Sequence, residues 1–215
     1  MNLKELIALY RAQSLDDDDQ KPFCDDPLLT LYANEAQVEA CRRGQLLVTT
    51  SRVELEANKE VLKLDPAAIK VMRAFVNRQP VSVLSVQDMD ALHPGWQFDS
   101  PQPQTTHLVS GVTTGALHLW PCPSAQAELV MTVQSLPSKR LCTDRDTPEI
   151  RPEAHAALVD WMLYRAYSRE DNDLYNDAKA VLALRRFETE FGTKASARNE
   201  ELVRSGAAMM PGPIA

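Results

Sequence analysis

The hydrophobic period of this chain changes twice along its length, and that switch constrains the fold more than any other feature. Leu3, Leu6, Ile7 and Tyr10 fall at i, i+3, i+4 and i+7 and make one apolar helix face. Residues 16–20, four aspartates and a glutamine, interrupt as a polar loop. A second helix is then expected, with Asp26 as its N-cap, Pro27 in the first turn where the missing N–H costs nothing, and an end near Gly44. From residue 51 the period drops to two. Ser-Arg-Val-Glu-Leu-Glu-Ala puts Val53 and Leu55 on one side of a strand.

The middle zone reads as a series of short strands. Residues 51–64 predict a hairpin turning at 57–60. Strands follow at 69–76 and 81–86, joined through 77–80, then a helical turn at 87–93 stopped by Pro94-Gly95. Three more strands are expected at 105–110, 116–120 and 128–134. Beyond residue 147 the helical period returns. Leu158, Met162 and Ala166 share a face, as do Leu158, Trp161 and Arg165. A second helix carries Tyr175, Ala178, Val181, Leu182, Phe187 and Phe191 to Gly192, across a loop of about five residues centred on 171–173. The fold class expected is α+β: a helical scaffold, made of N-terminal helices and a C-terminal helical hairpin, with an inserted antiparallel β-sandwich or small β-barrel. The organisation expected is one domain over 1–215: helices in 1–48, the β insertion in 49–140, helices in 147–205 and a flexible tail in 206–215.

Charge and cysteine usage narrow the function. The net charge is −7 and no zone is basic, whereas a protein that grips nucleic acid by its phosphates needs clustered Lys and Arg. An acidic surface that DNA passes without sticking remains compatible. Cys24, Cys41, Cys122 and Cys142 make no C-x-x-C and read as free thiols, not a disulfide framework or zinc ribbon. The opening residues lack the layout of a secretory signal, and no run approaches the roughly 20 apolar residues of a membrane span. A soluble, non-exported chain is the expectation.

Catalytic chemistry leaves little trace. There is no G-x-S-x-G elbow, no GxxxxGK[ST] loop and no GxGxxG. His107 and His118 could face one another across adjacent strands and ligate a metal, but nothing supplies a third ligand. His93 and His155 stand apart. The aspartates at 16–19 lack the spacing and glycine of a calcium loop and read as a solvated acidic loop. Arg42 and Arg43 sit where they complement a helix C-terminus. Trp96, Trp120 and Trp161 read as core or interface residues.

Several segments, in order, resemble the adaptor (head-to-tail connector) proteins of tailed bacteriophages. They are VQDMDALHPGW at 86–96, Thr106-His107 followed by GALHLWPCP at 115–123, and DTPEIRPEAHAALVDWMLYRAYS at 146–168. Asn34-Glu35-Ala36, Glu39-Ala40-Cys41-Arg42-Arg43 and FETEFG at 187–192 add to the likeness, which covers about 1–195. The resemblance implies a non-enzymatic virion protein with no cofactor, at the neck of the particle and made in the host bacterial cytoplasm. It implies a homo-oligomeric ring, usually twelvefold, below the portal. That ring would extend the DNA ejection channel and offer a platform to a downstream tail or nozzle protein, with no specific DNA binding and no membrane. On this reading Trp161, Arg165 and Phe187 are candidates for the contact between ring subunits, and Glu201, Leu202, Met209 and Met210 for a tail that docks on the portal. The alternative is a small metal-dependent hydrolase using His107 and His118.

Overall fold

The computed structural model describes residues 1–16, 22–170 and 174–194. The chain folds as two compact units, one built from Met1–Leu47 with Leu136–Lys194 and one from Val48–Ser135.

The first unit is helical. Helix α1 (Leu3–Ser14) starts in a capping box: Asn2 Oδ1 accepts the Glu5 N–H at 2.9 Å and Glu5 Oε2 accepts the Asn2 N–H at 3.0 Å. Helix α2 (Asp26–Arg43) is capped by Asp25, whose carboxylate takes the Leu28 N–H at 3.0 Å. The cap is therefore one residue earlier than expected, and Asp26 instead adds its charge to the first turn, where Arg11 reaches it at 2.7 Å. After a 3₁₀ turn (Pro152–Ala154), α4 (Leu158–Tyr167) and α5 (Asp177–Phe191) follow. Trp161 meets Phe187 while Tyr167 meets Lys179, so α5 runs back along α4. The connection spans nine residues instead of about five, because α4 ends at Tyr167 and Asn176 caps α5. Leu6, Tyr10, Leu29, Ala36, Leu158, Met162 and Phe187 are all fully buried in one core shared by these helices.

Asp16 departs from the sequence reading. It is 1% exposed instead of solvated. Its carboxylate accepts the N–H groups of Phe23 at 2.8 Å and Cys24 at 3.1 Å, with the Arg11 guanidinium 3.7 Å away. A carboxylate with these donors can be buried where an isolated one could not. Residues 17–19 lie outside the described residues.

The irregular stretch between Leu136 and the 3₁₀ turn is tied down by side chains that mimic backbone partners. Asn34 donates to the Leu141 carbonyl at 2.9 Å and accepts its N–H at 2.8 Å, closing an amide-to-backbone pair. Glu149 accepts the N–H groups of Ser138 at 3.0 Å and Lys139 at 2.8 Å. Asp146 Oδ2 takes the N–H groups of Cys142 and Thr143, both at 2.7 Å. Satisfied backbone in this segment replaces regular structure.

The second unit is a seven-stranded sheet with β1 (Val48–Leu55), β2 (Val61–Lys63), β3 (Ala68–Val76), β4 (Gln79–Ser85), β5 (His107–Ser110), β6 (Ala116–Trp120) and β7 (Ala127–Ser135), in the order β1-β7-β3-β4-β5-β6-β2. β3 and β4, the strands expected to be joined through 77–80, form a hairpin with Asn77 and Arg78 both at positive φ in a two-residue turn. The hairpin expected at 51–64 does not form. β1 pairs with β7 and β2 with β6, so consecutive strands stand at opposite ends of the sheet. Six Cα steps from Leu55 to Val61 reach at most ~21 Å. Seven flat strands would separate their edges by ~29 Å. The sheet must curl until its edges approach, which makes it a nearly closed barrel instead of a two-layer sandwich. One pairing is parallel, β4 with β5, which corrects the all-antiparallel expectation. The crossover between them holds α3 (Val86–Leu92) and a 3₁₀ turn (Trp96–Phe98), a connection that parallel strands require and a tight turn cannot supply. Leu55, Leu108, Leu117, Leu129 and Met131 fill the inner face. Met89, Trp96 and Val109 make a smaller cluster under α3.

Candidate functional site

The histidines of the β unit do not form a ligand set. His107 stands opposite Trp120 and His118 opposite Val109, so the two imidazoles are staggered by one pleat. His107 packs on Trp120 (5.3 Å between centroids), which stacks on its other neighbour His93 at 4.4 Å. His118 meets the edge of Trp96 at 6.3 Å instead. Thr106 Oγ1 lies 2.8 Å from His107 Nδ1, and Thr113 Oγ1 lies 3.3 Å from His118 Nε2. Burial pushes both imidazoles below their ordinary pKa, His93 pushes His107 further, and Glu60 pulls His118 partly back. Among the described residues no three His, Cys, Asp or Glu side chains converge as metal ligands need to. His155 is buried in the helical unit and its Nε2 lies 2.8 Å from the Ile150 carbonyl, so that nitrogen carries the proton.

Most of the thiols are sequestered. Cys24, Cys41 and Cys122 are buried, and burial pushes the Cys41 thiol up to about 12, which keeps it protonated and inert. Cys142 is exposed, and its backbone N–H donates to Asp146 Oδ2 at 2.7 Å.

What the helical unit does build is a guanidinium site. Arg43, the last residue of α2, lies 5.3 Å from the Trp161 ring centroid and 5.1 Å from that of Phe187. Glu39 Oε2 is 3.4 Å and Glu188 Oε1 is 3.5 Å from its nitrogens, and its side chain is 4% exposed. The planar cation thus fills a slot between two aromatic faces and two carboxylates, a fit that Lys cannot copy. Its sequence position suggested only a helix-terminal charge. Nothing local reveals that α5 supplies the other half of the slot.

Trp161 and Phe187, the residues expected at a subunit contact, are the walls of that slot, and both lie in the core of their own unit. Arg165 is the exposed member of the trio: its side chain is 42% accessible, pairs with Glu35 at 3.4 Å and covers the Tyr32 ring at 5.3 Å. Exposed apolar area on these helices comes from Val181 and Leu182 of α5. Leu182 borders a groove of about 650 Å³ lined by Asp160, Leu163, Tyr167, Lys179 and Arg186. Asp160 sits half-buried there, its carboxyl pushed up by burial and pulled back by Arg186. Glu201, Leu202, Met209 and Met210 lie outside the described residues.

Sequence reasoning passed over one group in the β unit. Phe98 is 90% exposed at the end of the 3₁₀ turn, beside the buried Trp96. The 3₁₀ turn separates the two rings: residues two apart in it point in different directions, so Trp96 goes in and Phe98 stays out.

Asn34, Asp146 and Glu149, which belong to the resembling segments, each anchor backbone in the structure, and Arg43 locks one helix end to another. Those motifs therefore specify architecture. A family model described as SU10 adaptor protein matches residues 1–211, across both units. No curated protein matches the chain.

Proposed function

The chain belongs to the SU10 adaptor protein family, a family of bacteriophage head-to-tail adaptors, and from that premise we propose that it forms a closed ring below the phage portal, extends the DNA channel and carries the next tail component. The observation that carries the reading is the extent of the family match, which runs through helical and β units alike. Two features support it. The net charge of −7 suits a wall along which DNA must slide. The two units give one subunit two separate surfaces to offer to different neighbours.

A closed ring needs one face of the subunit to complement another. We place one half of that contact on α5 and the neighbouring part of α4, at Leu182, Val181 and Arg165, with Trp161 and Phe187 stiffening the helices from beneath. Twelve copies are the stoichiometry proposed, and the segment holding Glu201, Leu202, Met209 and Met210 is the proposed portal contact.

Light scattering after size exclusion, with negative-stain images, tests the ring. A particle with a central channel, alone or on addition of portal protein, supports it; a monomer that ignores the portal removes it. Leu182→Asp should leave the subunit folded and block assembly, since Leu182 is half exposed in the single chain. Truncation after Arg204 should weaken portal docking and leave the fold intact.

A further inference from the structure

The β unit holds a second set of aromatic rings and acids, arranged around a cavity instead of around a side chain. Trp96, Phe98 and Trp120 line it together with Glu60, Asp99 and His118, and it encloses about 300 Å³. That is the small end of ligand pockets, room for one side chain. Its walls are set by hydrogen bonds. Trp96 Nε1–H donates to Asp90 at 2.8 Å and Trp120 Nε1–H donates to Asp99 at 3.0 Å. Both indole N–H groups are thereby satisfied within the unit, and the second bond also holds the Asp99 carboxylate at the cavity. Gly95, at φ 83, turns the chain so that Trp96 points inward and Phe98 outward into water.

The electrostatics have one sign. No Lys or Arg lines the cavity, and burial disfavours the charged form of His118. Glu60 and Asp99 therefore share the cavity with the rings, without a cation of this chain among the lining residues. Ring faces are themselves electronegative, so carboxylates and aromatic faces attract the same kind of guest. The helical unit shows what this chain places in such surroundings: Arg43, between the Trp161 and Phe187 rings and the carboxylates of Glu39 and Glu188. Phe98 keeps 90% of its surface in solvent, which leaves its ring able to close over an incoming side chain.

We propose that this cavity is a docking pocket for an arginine side chain presented by a partner protein, held by stacking on Trp120 and Phe98 and by charge pairing with Glu60 and Asp99. The guest is a guanidinium because its planar face and its edge donors meet rings and carboxylates at once. Ring closure of the subunit is a separate matter, so scattering and pocket binding fail independently.

The test uses the full chain and two small probes, N-acetyl-arginine methylamide and its neutral isostere N-acetyl-citrulline methylamide, with the tryptophan indole N–H signals followed by nuclear magnetic resonance. Trp161, in the helical unit, is the internal control. The arginine probe should shift the Trp96 and Trp120 signals saturably, with a Kd on the order of millimolar. It should leave Trp161 in place. Phe98→Ala and Glu60→Gln change exposed side chains, so the unit should keep its fold. Each should weaken binding roughly fivefold. Equal shifts from citrulline, shifts shared by all three indoles, or variants that bind like the parent would overturn the assignment.

Discussion

Replacing Arg43 by alanine is the sharpest single test of how the helical unit holds together. The guanidinium is 4% exposed and touches both α2 and α5. Two cation–π contacts at 5.1 and 5.3 Å contribute about 1 kcal/mol each where the cation is shielded from water. The ion pairs are worth less than a fully buried pair, because the Glu39 and Glu188 side chains keep 12% and 29% of their exposure. Glu39 also retains Arg42 at 2.8 Å after the change, which limits the cost of its lost partner. With the cavity left between two rings, the expected loss is about 3 kcal/mol. That moves a urea midpoint, followed by helical circular dichroism, by roughly 1–3 M. Arg43→Lys keeps the charge but loses the planar face, and should cost about half as much. Arg52→Ala is the control. It removes a pair with Glu128 at 3.4 Å whose Arg side chain is 74% exposed, and should change stability by under ~0.5 kcal/mol. If Arg43→Ala proved as mild as Arg52→Ala, or Arg43→Lys matched the parent, the aromatic slot would not be what joins these helices.

Three further expectations follow from burial and pairing. Trp161→Ala should unfold the helical unit by about 3–5 kcal/mol, whereas Arg165→Ala should cost under ~1 kcal/mol and leave the thermal midpoint nearly unchanged, so only the second is a clean probe of assembly. Asp16→Ala leaves the Phe23 and Cys24 N–H groups without their acceptor and should cost about 2–4 kcal/mol by urea titration. The depressed pKa values of His107 and His118 mean the unfolded chain binds their protons more readily than the folded one. Stability of the β unit is thus full above the ordinary imidazole value near 6.5 and is lost as pH falls through the lower folded values. Urea midpoints between neutral pH and mildly acidic buffer should fall in the parent and flatten in a His107→Gln, His118→Gln double variant.

Much of the local architecture was legible because it depends on neighbours in sequence. The Leu3, Leu6, Ile7 and Tyr10 face, the proline in the first turn of α2, the helix stop at Gly192 and the connection through 77–80 are written in spacings of two to seven residues. Boundaries slipped by one residue where two candidates stood side by side, as with Asp25 and Asp26, and by more at the α4–α5 connection. The family likeness was legible too, since its segments keep their order along the chain, and the whole-chain match agrees with it.

Pairing was another matter. Alternation identifies 51–55 and 61–64 as extended but carries no information about partners, and the nearest strand was the wrong one for β1 and β2. Curling the sheet brings distant β6 and β7 alongside instead, and that gain of buried apolar surface is a property of the whole sheet. The same holds for charges. Asp16, one of four adjacent aspartates, goes inside because a turn eight residues away offers its N–H groups. Arg43 leaves water because a helix some 140 residues later brings the Phe187 ring and Glu188 to it. Period, caps and turn residues were settled by the sequence itself, through short-range sterics and hydrogen bonding. Which strand pairs with which, which charges are buried and which rings face solvent were decided only by tertiary structure, because those energies belong to contacts between segments far apart in the chain.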